Sequence, residues 1–244
     1  MMTHQDLDSV AQNFEHVRNI VKATISSANR SEDSVKLVVV TKGQPVEKMQ
    51  ALINAGGVLL GENYPEETAE KIPSLTGLEK VKWHMIGHIQ SRKIKYLVEY
   101  FDFIESVDSL ETAHKLDLKF AEADRKVKVL LEVNLSGEQS KQGFDLESTD
   151  KWRDFVRDVQ SMRRLEHLEI KGLMTMPPLE TDLNASRKYF QKCHILGQFI
   201  NDQLNEHLIA ELSMGTSQDY TIAIEEGATI IRVGEAIMGP RTYK

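Results

Sequence analysis

The feature that most constrains this chain is a repeating alternation of short apolar segments with longer helical stretches. Eight segments read as strands: Val35–Lys42, Val58–Asn63, Trp83–Ile89, Phe103–Val107, Val127–Asn134, Glu169–Met176, Ala210–Gly215 and Thr229–Glu235. Most are followed by a helical pattern, the rhythm of a parallel sheet with crossover helices. Ahead of the first strand, Leu7, Val10, Ala11, Phe14, Val17, Val21 and Ile25 recur at helical spacing, and polar Asn29 to Ser34 ends that helix. Pro45 suits the first turn of a helix closed by Gly56-Gly57; Leu183–Leu204 reads as a long amphipathic helix, and Ser217–Glu226 as a short one ended by Gly227. The pattern predicts a single α/β domain over residues 1–244, a (β/α)8 TIM-type barrel with residues 1–30 as an additional N-terminal helix packed on it. A doubly wound open sheet shares the rhythm. However, the loop after the first strand, Thr41-Lys42-Gly43-Gln44-Pro45, carries no glycine-rich dinucleotide fingerprint.

Composition narrows the function. A hydrophobic fraction of 41% supports a large core, and a net charge of -7 argues against a nucleic-acid partner, which needs a basic face. Arg92-Lys93-Ile94-Lys95 reads as a solvated helix face. The single cysteine, Cys193, precludes an intramolecular disulfide and a multi-cysteine zinc site, and its apolar helical setting suits a small core residue. The N-terminus lacks the basic start and apolar block of a signal peptide, and no apolar run approaches membrane-spanning length. The expectation is a soluble, cytoplasmic protein with no membrane partner.

In such barrels chemistry sits at the C-terminal ends of the strands, and phosphate is often held by the last two βα loops. Lys42 ends the first strand reading and, by alternation, shares a face with Val38 and Val40. Aliphatic surroundings favour the neutral amine that Schiff-base chemistry requires, although a lysine snorkelling at a strand end fits equally. In Leu212-Ser213-Met214-Gly215-Thr216-Ser217, the Ser213 and Thr216 hydroxyls and the backbone at the following helix start would make an anion site, with Gly215 allowing close approach. The alternative is that Ser217 simply caps that helix. Arg232, in Ile230-Ile231-Arg232-Val233-Gly234-Glu235, needs an acceptor: a carboxylate such as Glu132, or a ligand's ring nitrogen. Asn63, Glu132 and Asn134 supply further polar groups at the expected mouth, where strand-end hydrogen bonding also explains them. His84 and His88 have metal-like spacing, but they lie on a strand and no third ligand is evident, so no metal site is expected.

Several motifs, in order and over nearly the whole chain, resemble the pyridoxal 5′-phosphate (PLP) homeostasis family, also called the YggS-like family. Its barrel is similar to the N-terminal domain of alanine racemase. The matching stretches are Val39-Val40-Thr41-Lys42, Gly61-Glu62-Asn63-Tyr64, Trp83 through Lys93, Gly172-Leu173-Met174-Thr175-Met176, Leu212-Ser213-Met214-Gly215, and Arg232-Val233-Gly234 through Gly239. Departures are Gly43 after the lysine, where a larger residue is common, Pro65-Glu66 in place of Val-Gln, and Thr216 where methionine is common. The resemblance implies PLP as cofactor, held as a Schiff base on Lys42. It implies phosphate contacts from Ser213, Thr216 and the backbone of Gly234 and Glu235, with Arg232 near the pyridine nitrogen; Asn63 and Gly215 complete the expected binding set.

The resemblance also implies a carrier or regulator of PLP, with indirect effects on amino-acid and keto-acid metabolism, rather than a fast enzyme. An arginine stays protonated and cannot hand the ring nitrogen a proton, so the electron sink is weakened. The racemases take a second acid/base from a C-terminal β-domain, and here the sequence ends at Lys244, directly after the barrel. The alternative is a small PLP-dependent amino-acid racemase. PLP-dependent apoenzymes are candidate recipients, and the expected state is a monomer, because no exposed apolar stripe is evident.

Overall fold

The computed structural model describes residues 4–138, 141–178 and 182–240. The chain opens with α1 (His4–Ser27). It then alternates through β1 (Lys36–Val40), α2 (Val46–Asn54), β2 (Leu59–Glu62), α3 (Pro65–Lys71), β3 (Lys82–Met85), α4 (Ile94–Tyr100), β4 (Phe103–Val107), α5 (Leu110–Glu122) and β5 (Val127–Asn134). The second half adds β6 (Phe144–Asp145), α6 (Trp152–Met162), β7 (Leu168–Met174), α7 (Arg187–Leu204), β8 (Glu211–Ser213), α8 (Tyr220–Glu225), β9 (Ile230–Val233) and α9 (Glu235–Met238).

Strand order around the sheet is β4-β3-β2-β1-β9-β8-β7-β5, and β4 also pairs with β5, so the sheet closes. All eight of these strands run parallel. Two pairings exclude the open-sheet alternative. The first strand meets the last, with Val38 opposite Arg232, and the middle strands meet with Phe103 opposite Lys128. The short β6, which the alternation does not predict, is a spur on β5 that sets Phe144 opposite Val133.

The apolar runs divide their side chains between two cores, as expected where both faces of a parallel sheet are covered. Val38, Phe103, Leu130, Met174 and Ile230 fill the barrel interior, while neighbours such as Val39, Leu131 and Ile231 pack outward beneath the helices. The interior cluster is shallow, and the inner positions nearer the C-terminal ends of the strands carry polar groups instead.

The N-terminal helix has a specific job. Among the described residues the last barrel strand is followed only by the four-residue α9, and α1 packs against α2, α8 and α9. Its Val10, Phe14, Val17, Val21 and Ile25 are all buried. Each such side chain contributes about 1.5–3 kcal/mol on leaving water. Polar ties fix its placement: Asn13 Nδ2 donates to the Ile237 carbonyl at 3.3 Å, and Arg30, three residues past the helix end, donates from Nη1 to that of Ile224 at 2.7 Å.

Six of the eight strand readings run past the real C-terminal end; β4 and β5 match over their full length. Met214, for example, follows β8 yet is fully buried, so apolar patterning continues beyond the last ladder residue. The long helical reading begins early, since Leu183–Ser186 is a 3-10 turn that precedes α7. The short helix reading narrows to Tyr220–Glu225, because Thr216 to Asp219 form a capped turn.

Candidate functional site

Lys42 lies two residues beyond the end of β1 rather than on it. The strand's alternation therefore does not set its direction; a turn does. Thr41 N–H extends the ladder to the Gly61 carbonyl at 3.0 Å, and Gln44 N–H closes back on the Thr41 carbonyl at 3.1 Å. Gly43, the departure noted beside the lysine, takes φ +66°, a conformation that disfavours larger residues. Lys42 is thus a half-buried residue on a short, braced turn at the C-terminal end of the barrel.

Register brings the last strand to its side. Val38 faces Arg232 across the β1–β9 ladder, and a Cβ on Gly234 would stand 3.1 Å from Val40 Cβ. Arg232 is buried in the barrel, where its Nη1 donates to Ser213 Oγ at 2.6 Å and its Nη2 to the Thr175 carbonyl at 3.0 Å. Ser213 Oγ in turn donates to Glu105 Oε2 at 2.5 Å, and His84 Nδ1 meets Glu105 Oε1 at 2.6 Å. Nη1 of Arg232 stands 4.0 Å from Glu105 Oε2. The acceptors of the guanidinium are therefore a serine and a carbonyl, with Glu105 as counter-charge and Glu132 farther off.

Electrostatics follow from this placement. Burial alone would raise the Glu105 carboxyl, but His84, Arg232 and the Ser213 hydrogen bond outweigh it and hold the group below its ordinary value. Burial lowers the Arg232 guanidinium, which remains a cation. Glu132 differs from Glu105: burial, reinforced by Asp108 and opposed by Arg232, pushes it up to about 7. One interior carboxylate is firmly ionised and the other is poised near neutrality. Burial also lifts the Cys193 thiol to about 12, as befits a core cysteine.

The loops expected to hold an anion are built somewhat differently from the sequence expectation. The Ser213 hydroxyl is engaged inside the barrel with Arg232 and Glu105. The backbone N–H and hydroxyl of Thr216 both donate to Asp219 Oδ1, at 2.7 and 3.1 Å. Gly215, at φ +90°, faces α8: an added Cβ would lie 2.5 Å from Ala223 Cβ, so its smallness already serves packing. Ser217 does not cap the helix that follows it. Its Oγ accepts N–H groups from Gly234 at 3.1 Å and Ala236 at 3.3 Å, tying the β8–α8 loop to the start of α9. Glu235, the first residue of α9, is exposed at the same spot.

The remaining sequence candidates separate. Asn63 sits just past β2 with Gly87 packed on it, and its Oδ1 is buried without a partner. Asn134 Oδ1 accepts from Ser136 and Gly137, so this side chain organises its own loop. His84 and His88 do not converge: the first is held by Glu105, while His88 Nδ1 lies 3.2 Å from Asp108. No group of three or more metal-ligating side chains occurs among the described residues. Glu105 and Ser217 were not among the sequence candidates. A carboxylate within the apolar run Phe103-Ile104-Glu105-Ser106-Val107 was the available signal for the first; the second had none, because its partners lie 17 and 19 residues away.

A closed parallel barrel with an amine, a buried guanidinium and donor loops at one mouth defines the class of the alanine racemase N-terminal domain, whose family pattern matches residues 5–242. The solved alanine racemase of Clostridium difficile 630 superposes with TM-score 0.71 at 18% identity, over 94% of this chain and 56% of that one, a likeness of fold. PipY of Synechococcus elongatus PCC7942, solved with PLP bound, gives TM-score 0.81 at 31% identity over 94% of this chain and 100% of its own. Pyridoxal phosphate homeostasis proteins of Vibrio alginolyticus and Pasteurella multocida are 34% and 33% identical, over 97% and 100% of this chain and 100% and 99% of theirs. The chain belongs to the pyridoxal phosphate homeostasis protein family.

Proposed function

We propose that this chain holds PLP at the barrel mouth, covalently through Lys42, and acts in PLP homeostasis as a reversible carrier. The observation that carries this reading is the β1–β9 register, which pairs the strand leading into the Lys42 turn with the strand that carries Arg232 and leads to Gly234. The orphaned Asn63 Oδ1 fits the group as well, since a buried acceptor without a partner favours a ligand that brings a donor.

When bound, PLP supplies an electrophilic aldehyde and, if its ring nitrogen is protonated, an electron sink. Lys42 provides the amine that holds the aldehyde. Arg232, clamped by Ser213 and the Thr175 carbonyl, would donate to the ring nitrogen and disfavour its protonation. Ser213 acts on the site through that clamp, and its hydroxyl can turn to the phosphate only by leaving it. The phosphate would be held by the loop from Gly215 through Ser217 and the backbone of Gly234 and Glu235, with the Thr216 hydroxyl available once it releases Asp219. Asn63 would help to orient the ring through its unpartnered Oδ1. These residues favour binding over turnover, and the ligand's destinations are PLP-dependent apoenzymes, with effects on amino-acid and keto-acid metabolism that are indirect.

The proposed setting is the cytoplasm and the proposed state a monomer. No described helix is long and apolar enough to cross a membrane. The large exposed apolar residues, such as Val58 before β2, Leu118 on α5 and Ile195 on α7, lie on separate segments.

The test is borohydride reduction of protein loaded with PLP, followed by mapping of the modified lysine. Lys42 is expected to carry the label, and Lys42→Ala is expected to remain folded, lose the label and lose the visible absorbance. Labelling elsewhere, or an unchanged Lys42→Ala spectrum, overturns the assignment. Exchange of an amino acid's α-hydrogen for deuterium at a catalytic rate would instead make the chain an enzyme.

A further inference from the structure

Behind the Lys42 turn stands a carboxylic acid to which the proposed function gives no role. Glu62, the last residue of β2, is fully buried. Its Oε1 accepts the Thr41 hydroxyl at 2.6 Å, while its Oε2 is buried without a partner. Thr41, also fully buried, is the residue whose N–H and carbonyl brace the turn carrying Lys42. The acid and the amine therefore sit on either side of one clamped residue.

An ionised carboxylate with a buried, unpaired oxygen is costly, whereas the neutral acid loses far less on burial. The groups facing it decide the balance. From α3 come Lys71 and Glu67, which pair with each other and largely cancel. From the β1–α2 turn comes Lys42, whose positive charge favours the ionised form. On β3 the residue in register is Met85, which is uncharged. Burial dominates, against the Thr41 hydrogen bond, and pushes Glu62 up to about 7.

We infer that Glu62 is a positioning residue whose charge, from behind the Thr41 clamp, biases the Lys42 amine toward its ammonium form and so modulates how fast this chain captures and releases an aldehyde. The coupling is reciprocal, as any linkage must be. An ionised Glu62 favours Lys42 as an ammonium, which has no lone pair to give. A protonated Glu62 removes that restraint. In capture, the neutral Lys42 amine forms a bond from Nζ to the aldehyde carbon, the carbonyl oxygen leaves as water with both amine protons, and no oxidation occurs. The proton lost beforehand by the Lys42 ammonium goes to solvent. Capture in a neutral cell would thus sit on the edge of an ionisation behind the lysine, with Thr41 transmitting its geometry.

This inference rests on the reading of Lys42 as the aldehyde-binding amine. The experiment measures the rate of imine formation, by absorbance, when ligand-free protein is mixed with PLP across the pH range, for the native chain, Glu62→Gln and Thr41→Val. Below neutrality the native chain and Glu62→Gln both have an uncharged side chain here, and their rates are expected to agree. Above it only the native chain carries the restraining charge, so the ratio of Glu62→Gln to native rates should step up by about threefold or more, the size expected of a charge at partly screened range. Thr41→Val removes the hydrogen bond that favours the ionised acid, so its rate profile should show the same step displaced to higher pH; this variant also serves should Glu62→Gln not fold. A merely structural role would scale the rates equally at every pH. A ratio that stays flat with pH, while borohydride still traps Lys42, overturns the inference and leaves the Lys42 reading in place. Absence of any Lys42 adduct in the native chain overturns both.

Discussion

Replacing Glu105 by glutamine tests the electrostatic construction of the barrel interior. The substitution keeps the shape and removes the charge that faces Arg232 at 4.0 Å, where the two side chains are 0% and 4% exposed. At that separation, with an effective dielectric near 20, the lost attraction is about 4 kcal/mol. Breaking a buried pair by neutralising one partner typically costs about 3–5 kcal/mol, because the other charge stays buried without compensation. Urea denaturation of the ligand-free protein should therefore show Glu105→Gln less stable by about that amount, with an unchanged slope. Two further features follow from the geometry. Glu132 is the other interior carboxylate felt by Arg232, and it ionises near neutrality, so the deficit of Glu105→Gln should shrink as pH rises through 7. The double variant Glu105→Gln/Arg232→Met should be more stable than Glu105→Gln alone, because it removes the stranded cation. A loss below about 1 kcal/mol, the value of an exposed pair, or additivity in the double variant, would refute the reasoning.

Three other outcomes are expected. Gly215→Ala places a methyl 2.5 Å from Ala223 Cβ at a backbone of φ +90°, and should cost about 2–4 kcal/mol in thermal or chemical unfolding. Glu62 binds its proton more tightly folded than unfolded, its pKa rising from 4.5 to about 7, so its contribution to stability is fully present below pH 4.5 and declines as pH rises to about 7. That decline amounts to roughly 3 kcal/mol, and Glu62→Gln should remove it from the pH dependence of unfolding free energy. Cys193, buried and with its thiol pushed up to about 12, should resist alkylation in the native protein at pH values where the urea-unfolded chain reacts readily.

The barrel itself was legible in the chain. Parallel strands buried on both faces need continuous apolar runs, and the crossovers between them need amphipathic helices, so the alternation alone yields eight strands and an extra helix. Phe103–Val107 and Val127–Asn134 match over their full length because apolar patterning and hydrogen-bonded ladder end together there. Elsewhere buried loop residues such as Met214 continue the apolar pattern without a ladder partner, so the ends were not legible. Lys42, Asn63 and Arg232 stood out because a polar side chain at the tip or inside of an apolar run calls for a partner.

Which partner each receives was decided only by closure of the barrel. Glu105 and Ser213 are 108 residues apart, and the hydrogen bond between them exists because β4 and β8 face one interior. Ser217 looked like a helix cap because local spacing suggests one, yet it accepts N–H groups from the far side of β9. Alternation along a strand reports which side of the sheet a residue takes, whereas distances across the interior depend on register and shear, which no single segment encodes. The sequence therefore determined the barrel and part of its polar lining, Arg232 and Ser213 among it, and the tertiary structure alone brought in Glu105 and determined which of these groups meet.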